Sequence, residues 1–420
     1  MKRYSDYKDS GVEWLGEIPE HWEVKRLKLM ARIKNGQDYK LVYTDEPIYP
    51  VIGSGGQFAY ASQYLFKGES VLLGRKGTVD KPLYINCAFW TVDTMFYSEI
   101  NNNTFPKFLY YSALTIPFKY LLTNTTVPSM TQYDLGNHLF AFAPIDEQKT
   151  IARFLDRKLE QIGHFISNKQ RLIELLKEQK TAIVNRAVTK GLNHHAPMKP
   201  SGIDWLGEIP QHWEIKRLGW ICSQINDINH EMPPAVAEGV PFLSAKDLLD
   251  DGTLNFTHDL KMISEEDFQK LSKKVLPRKN DIIYSRIGAR LGKARLVKAD
   301  TKFLISYSCC VVRVKQEIAI PELIRLILDS EFVLTEAKLR TVGVGVPDLG
   351  LKEIARFPIP LPPMKEQEKI TKYLIQEIAN IDLAIAKTEK EIELIQEYRT
   401  TLISDAVTGK IDVRELTHSS

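Results

Sequence analysis

The strongest constraint on this chain is an internal repeat. The segment SGVEWLGEIPEHWEVKRL at 10–27 recurs as SGIDWLGEIPQHWEIKRL at 201–218, with 14 of 18 positions identical. Two further matches join VLLGRKG (71–77) to IIYSRIG (282–288) and PIDEQ (144–148) to PMKEQ (363–367). The offset between the copies grows from 191 to 211 to 219 and then stays constant through a long helical stretch. Each copy is therefore predicted to be a lobe of variable length followed by a helix of fixed length.

Both helical stretches carry apolar residues at alternating steps of four and three, the spacing of a coiled-coil seam. The apolar seam positions are Leu155, Leu159, Ile162, Ile166, Ile173, Leu176 and Ile183 in the first copy, and Leu374, Ile378, Ile381, Ile385, Ile392, Ile395 and Leu402 in the second. A helix of about 42 residues rises roughly 60 Å, and with a single apolar stripe it is marginal in water alone. We expect the two helices to pair antiparallel as a coiled coil about an internal pseudo-twofold axis. Two alternatives stay open: each stripe packs on its own lobe, or the helices pair between two copies of the chain.

The lobes are predicted to be β-rich, because runs such as SVLLGRKG and NDIIYSRIG alternate with glycine-rich turns and short helical segments. The expected fold is α+β. The predicted divisions are an N-terminal segment with the first repeat (1–22), a first lobe (23–143), a first spacer helix (144–192), a linker with the second repeat (193–213), a second lobe (214–360), a second spacer helix (361–412) and a tail (413–420).

The overall charge is small, with 56 Lys and Arg against 53 Asp and Glu, a net charge of +3. It neither requires nor forbids a polyanionic partner. The four cysteines show no CxxC pair, so we expect reduced, buried thiols and no metal site. The N-terminus has no apolar leader, and no uncharged apolar run approaches the ~18 residues of a membrane span. We therefore expect a cytoplasmic protein.

Basic residues concentrate in the second lobe. Between Lys273 and Lys298 nine Lys and Arg face one acid, Asp281, a local charge of +8 in 26 residues. Such a band is a candidate for phosphate contact, although a charged stretch is more often a solvated face. The members taken as candidate DNA-binding residues are Lys273, Lys274, Arg286, Arg290, Lys293 and Arg295.

Arg75 and Arg286 occupy the same place in the two copies, after an apolar strand and before a glycine. We name this segment the RxG turn. A guanidinium presented there is able to reach guanine O6 and N7 or a phosphate. The alternative is a structural salt bridge within each lobe. Further candidates in the first lobe are Lys76 in the turn and Ser54, Gln57 and Tyr60 in the segment SGGQFAY.

Known catalytic patterns are missing from the sequence. There is no P-loop, no GxGxxG, no HExxH or GxSxG, and neither the Asn-Pro-Pro-aromatic nor the Asp-Pro-Pro-aromatic motif of amino-methyltransferases. One pattern found in metal-dependent nucleases, E-x-K, occurs at Glu23–Lys25 and Glu214–Lys216, but no aspartate stands at a matched distance in both copies. A half-exposed strand gives the same alternation.

The paired WLGEIPxHWExxRL segments, each leading to a lobe that ends in a PLPPMKEQ-like turn and a long helix, resemble the specificity subunit of type I restriction-modification systems. The resemblance covers nearly the whole chain, and the first copy departs from it by reading FAFAPIDEQ. It implies that each lobe is a target recognition domain for one half of a bipartite, asymmetric site in double-stranded DNA. It also implies that the helices set the spacer between the halves and dock two methyltransferase subunits, and that restriction subunits join the complex.

By the same resemblance this chain is non-catalytic and carries no cofactor or metal, while the partner subunits use S-adenosylmethionine, ATP and Mg²⁺. Two other classes stay open on the residues alone. One is a two-lobed scaffold protein that does not bind DNA, and the other is a metal-dependent nuclease that uses the E-x-K pairs.

Overall fold

The structure is a computed structural model that describes residues 2–121, 129–228, 230, 232–341 and 345–417. The described chain divides into two compact units, which are treated separately below. The first unit consists of residues 1–170 and 389–420, and the second of residues 171–388. Each long helix therefore contributes one part to each unit, whereas the sequence placed the divisions at the ends of the helices.

Strands occur in runs that are separated by a few helices, as expected for an α+β chain. The elements up to residue 190 are β1 (Tyr7–Asp9), β2 (Glu17–Pro19), β3 (Glu23–Arg26), α1 (Leu27–Met30), β4 (Ala31–Asn35), β5 (Tyr43–Thr44), β6 (Tyr49–Gly53), β7 (Gly56–Ala61), β8 (Phe66–Lys67), β9 (Ser70–Gly74), β10 (Leu83–Ile85), β11 (Ala88–Thr91), β12 (Met95–Ile100), α2 (Pro106–Ala113), α3 (Gln132–Asn137), β13 (Leu139–Phe142) and α4 (Ile145–Lys190).

The remaining elements repeat this plan. They are β14 (Met198–Pro200), β15 (Glu208–Pro210), β16 (Glu214–Arg217), α5 (Leu218–Ile221), β17 (Cys222–Asn226), β18 (Val240–Leu243), β19 (Met262–Ile263), α6 (Glu265–Ser272), β20 (Ile282–Ser285), β21 (Ala294–Leu296), β22 (Leu304–Ile305), β23 (Cys309–Val314), α7 (Pro321–Leu328), α8 (Glu331–Arg340), α9 (Leu351–Ala355), β24 (Pro358–Leu361) and α10 (Met364–Val407). The two long helices lie within the predicted ranges 144–192 and 361–412.

Each lobe is built on a four-stranded sheet with the same strand order. The order is β4-β12-β9-β10 in the first lobe and β17-β23-β20-β21 in the second. A second sheet in each lobe contains one parallel pair, β6 with β11 and β18 with β22. That sheet has five strands in the first lobe and three in the second, so the copies differ most there. The predicted β-rich character of both lobes is confirmed.

The predicted apolar stripe is the buried side of each long helix. Every seam position named above is buried or half-buried. In the first unit, Leu155 and Leu402 belong to one hydrophobic cluster, and Nζ of Lys169 lies 2.6 Å from a carboxylate oxygen of Glu391. Residue numbers rise along α4 as they fall along α10, so the helix segments of this unit are antiparallel.

The helix segments of the second unit are antiparallel as well. Val184 and Leu374 share a cluster, and Nζ of Lys180 lies 2.7 Å from Oδ1 of Asp382. Lys169 and Lys180, which stand at seam positions of α4 between the apolar residues, thus make ion pairs with the facing helix. Supercoiling of the helices stays a prediction.

The glutamine of each EQ pair fastens the start of a long helix to its own lobe. The buried amide of Gln148 accepts from the backbone N–H of Phe105 at 2.7 Å and donates to the carbonyl of Ala143 at 2.8 Å. Gln367 makes the equivalent bonds to Ile320 N at 3.0 Å and Pro362 O at 3.0 Å. Both amides meet the backbone just before α2 or α7, so the repeated glutamine has a structural role in each copy.

The repeated WLGEIPxHW segment packs where a long helix ends. Gly409 follows α10 with φ 75°, and a Cβ there would lie 2.4 Å from Cδ of Pro19. Gly191 follows α4 with φ 71°, and a Cβ there would lie 3.2 Å from Cζ2 of Trp213. Both positions require glycine, because the backbone is left-handed and the repeat approaches closely.

The cysteine prediction is confirmed in part. Cys222, Cys309 and Cys310 are buried, and burial raises the pKa of Cys222 and Cys309 to about 12. Cys87 is exposed, so the prediction of burial was wrong for this residue. In the described part of the chain, no helix is both long enough and apolar enough to span a membrane.

Candidate nucleic-acid interface

The RxG turn of the first lobe follows directly from β9. The backbone N–H groups of Arg75 and Lys76 donate to the carbonyl of Thr94, at 2.8 and 3.2 Å, which fixes the RxG turn to the β11–β12 turn, directly before β12. A Cβ on Gly77 would lie 3.2 Å from Oγ of Ser54, so the β6–β7 hairpin tip lies against the turn. The structure therefore brings Ser54 next to the residues of the RxG turn.

Arg75 is half-buried and has no acidic partner among the described residues. Its Nη1 donates to the carbonyl of Asp93 at 3.3 Å, and its guanidinium lies 5.8 Å from the centre of the Phe96 ring. Lys76 is exposed. The described surroundings thus leave donor capacity on the Arg75 guanidinium for an anion or a base edge.

Gln57 and Tyr60 lie on β7 and line an open cavity of about 540 Å³ with Tyr43 and Phe58. Two of these rings are unusually exposed for aromatic side chains, with 53% of Tyr43 and 55% of Phe58 accessible to solvent. Exposed aromatic faces together with an amide suit contacts with bases, although they suit protein contacts equally well.

The RxG turn of the second lobe has the same backbone and a different environment. Arg286 is 4% exposed. Its Nη2 lies 2.8 Å from Oδ2 of Asp227, and its Nη1 donates to Oδ1 of Asp348 at 2.7 Å. These two ion pairs favour the structural alternative that the sequence left open for Arg286, because its donors are already occupied inside the lobe.

Arg295 is also enclosed. It is 1% exposed, and it donates to the carboxylate of Asp329 at 3.1 Å and to the carbonyl of Leu249 at 2.6 Å. In this conformation it is not available to DNA, which corrects its place among the sequence candidates. Since the strand pairing of β20 with β21 holds its backbone, the guanidinium is turned toward the lobe interior.

The rest of the basic band is partly neutralised by acids distant in sequence. Arg290 and Lys293 share Asp250, at 3.0 and 3.1 Å, and Nζ of Lys274 lies 3.5 Å from Oδ1 of Asp227. Lys273 is exposed and makes no ion pair with a described residue. The local charge of +8 counted along the chain is therefore smaller in space, and Lys273 is the most available of the six candidates.

The E-x-K residues pair with each other instead of forming a metal site. Nζ of Lys25 lies 2.9 Å from Glu23, and Nζ of Lys216 lies 3.0 Å from Glu214, each pair on a two-stranded ladder. Across the described ranges, no group of three or more His, Cys, Asp or Glu side chains could hold a metal ion.

Sequence reasoning missed several polar residues around the second RxG turn. Asp227, Asp348, His230 and Lys352 line an open cavity of about 700 Å³ together with Arg286. The imidazole of His230 stacks on Tyr307 with ring centres 4.7 Å apart. One of them could have been found from the repeat: Asp348 stands in the second copy at the position that Ser129 occupies in the first, so the two copies differ there in charge.

Two lobes of matching topology, each with an RxG turn and a fixed-length helix, define a duplicated recognition-type protein. The chain belongs to the type I restriction modification DNA specificity domain family, whose model matches residues 19–181 and 210–394. The chain therefore carries two such domains, one in each copy of the repeat.

Relatives match this chain over nearly its whole length. It is 23% identical to the type I restriction enzyme EcoBI specificity subunit of Escherichia coli, over 96% of this chain and 89% of that protein. It is 26% identical to the putative type I restriction enzyme MjaX specificity subunit of Methanocaldococcus jannaschii, over 95% of this chain and 96% of that protein.

Solved structures share the fold. A chain from a structural study of complex assembly and conformational transition of the type I R-M system matches with a TM-score of 0.71 and 14% identity, covering 94% of this chain and 99% of that one. The HsdS subunit from Thermoanaerobacter tengcongensis matches with a TM-score of 0.52 and 17% identity, over 94% and 98% of the two chains.

Proposed function

We propose that this chain is the DNA-specificity subunit of a type I restriction-modification complex, and that each lobe reads one half of a bipartite, asymmetric site. The observation that carries the proposal is the contrast between the two RxG turns. Each turn stands on the equivalent four-stranded sheet of its own lobe, but Asp227 and Asp348 of the second lobe correspond to Asn35 and Ser129 of the first. A common scaffold with different polar groups at one place is what two readers of different sequences require.

The long helices are proposed to fix the spacer between the half-sites and to dock two methyltransferase subunits. Exposed apolar residues outside the buried stripe support docking: in the first unit Phe165, Leu394 and Tyr398, and in the second Leu172, Leu175, Tyr373, Ile375 and Leu383. Apolar side chains clustered on helix surfaces commonly mark a protein interface. Within the complex, methyltransferase and restriction subunits would use S-adenosylmethionine, ATP and Mg²⁺, and this chain would be non-catalytic.

DNA binding by the reconstituted complex tests the proposal. We expect the purified chain to bind DNA weakly, and to bind one sequence tightly once the methyltransferase subunit of its system is added. Arg75→Ala should weaken that binding about 10-fold, since a single guanidinium contact to a base or phosphate is worth roughly 1–3 kcal/mol. Arg171→Ala, which removes an exposed helix arginine paired with Glu174, is the matched control.

Tight binding that does not discriminate between DNA sequences, or the absence of DNA binding by the reconstituted complex, would contradict the proposal. Methylation mapping by long-read sequencing of DNA from cells that carry the system gives the recognised sequence directly.

The spacer role has its own test. A heptad inserted at matched positions in both α4 and α10 preserves the stripe and should lengthen the spacer of the methylated site. A heptad inserted in α4 alone puts the facing residues out of register and should impair folding or assembly. A folded double insertion with an unchanged spacer would refute the spacer role.

A further inference from the structure

One position beside the RxG turn is occupied by different polar residues in the two lobes. Asp348 forms an isolated antiparallel bridge with Ile287, and Ser129 forms one with Lys76. The offsets between these residues are 219 and 211, the same offsets that relate the two copies of the repeat. The two bridges are therefore equivalent, and each lobe places one side chain of different chemistry at the same place.

One carboxylate oxygen of Asp348 pairs with Arg286, and the other has no partner among the residues that the structure describes. Oδ1 accepts from Nη1 of Arg286 at 2.7 Å, while half of the side chain (50%) is accessible to solvent. Among the described residues, Arg286 is its only side-chain partner. Arg286 is in turn fixed by the buried carboxylate of Asp227. Asp227 and Arg286 together therefore restrict the position of Asp348 at the edge of the open cavity.

A half-exposed carboxylate is an unfavourable group on a surface that meets phosphates, because like charges repel. It becomes favourable where it accepts hydrogen bonds from a base. The exocyclic amino groups N4 of cytosine and N6 of adenine are the donors that the major groove presents, and Asp and Glu accept from cytosine N4. The second oxygen of Asp348 has no partner among the described residues, and the side chain is already oriented by Arg286, so this oxygen suits that contact.

We propose that Asp348 is a specificity-determining residue that accepts a hydrogen bond from the exocyclic amino group of cytosine or adenine in the half-site of the second lobe. Arg286 is its positioning residue, and Ser129 holds the equivalent position in the first lobe. This inference rests on the proposed function, and it adds the base chemistry and the residue.

The test compares methylated motifs in cells that carry the complete system with full-length variants of this chain. Asp348→Asn keeps the size of the side chain but replaces a pure acceptor by an amide that also donates. We expect discrimination at one position of one half-site to fall about 10-fold, while the other half-site is unchanged. Glu317→Gln, an exposed carboxylate of the same unit, is the control and should leave the motif unchanged.

The reciprocal variant Ser129→Asp should alter the other half-site only. An unchanged motif in both variants overturns the inference. If Asp348→Asn abolishes methylation, the result for Ser129→Asp is the deciding one. A changed half-site of the first lobe then supports the inference, and an unchanged half-site overturns it. Wild-type cells without any methylated bipartite motif would instead contradict the proposed function itself.

Discussion

The two RxG turns share a backbone and differ in what surrounds the arginine. In the first lobe Arg75 is half-buried and no described acid pairs with it, whereas in the second lobe Arg286 is buried between Asp227 and Asp348. The same position in the duplicated scaffold therefore carries two different arginines. In the first lobe the guanidinium keeps donors that pair with no described acid, and in the second lobe its ion pairs stabilise the lobe. The comparison teaches that an aligned position in a duplicated scaffold preserves geometry, while the neighbours decide the chemistry.

The largest expected effect follows from the buried arginine. Arg286→Ala leaves the buried Asp227 carboxylate with Lys274, whose Nζ lies 3.5 Å away, as its ion-pair partner among the described residues, so the free energy of unfolding should fall by about 3–5 kcal/mol. Arg75→Ala should lower the free energy of unfolding by less than about 1 kcal/mol, because that arginine makes no ion pair with a described residue. Urea unfolding of the full chain, with hydrogen exchange to locate the loss in the second unit, measures the difference. Equal losses in the two variants would contradict the contrast.

The second prediction concerns His138, a position where the first copy has a titratable side chain and the second copy does not. Burial lowers the pKa of His138 from 6.5 to about 4, and the matching residue of the second copy is Phe357. Protonation favours the unfolded chain, so this stability is complete above about pH 6.5 and is lost as the pH falls toward 4. Between pH 7.5 and 5 the loss should be about 2 kcal/mol.

His138→Phe removes the titrating group and supplies the side chain of the other copy. Unfolding measured at both pH values should show about 2 kcal/mol less pH dependence in this variant than in the wild type. His164→Phe, which changes an exposed helix histidine, is the control. Identical pH dependence in wild type and His138→Phe would show that His138 is not the responsible group.

The smallest expected effect is a difference in stability between variants of the two repeated tryptophans, Trp22 and Trp213. Nε1 of Trp22 donates to the Glu147 carboxylate at 2.9 Å, whereas Nε1 of Trp213 is buried with no described partner. Trp→Phe removes the same volume at both places, so the difference between the variants isolates the hydrogen bond. Trp22→Phe should be more destabilising than Trp213→Phe by about 1.5 kcal/mol, measured by thermal unfolding. A larger loss for Trp213→Phe would contradict this assignment.

The periodic features were predictable from the sequence. The offsets predicted two matching lobes, and the four-three spacing predicted which side of each helix is buried. Both features depend only on the spacing of residues along the chain, which a single sequence shows directly.

The chemistry around the turns was not predictable in the same way. Asp227 and Asp329 stand 59 and 34 residues from the arginines that they pair with, so counting charge along 273–298 could not include them. Arg286 and Arg295 therefore looked like surface residues of a basic band. The structural role of Gln148 was hidden for a related reason, because its bonds reach the backbone near Phe105, 43 residues earlier.

The division of the chain into two units also determines the order in which the units are completed during synthesis. The second unit is continuous along the chain, from residue 171 to residue 388. The first unit includes residues beyond 388, and its N-terminal segment binds them: Tyr7 donates to the carbonyl of Gly409 at 3.0 Å, and Lys2 pairs with Glu415 at 2.8 Å. Because domains fold as they leave the ribosome, the unit that is translated first is the last to receive all of its residues.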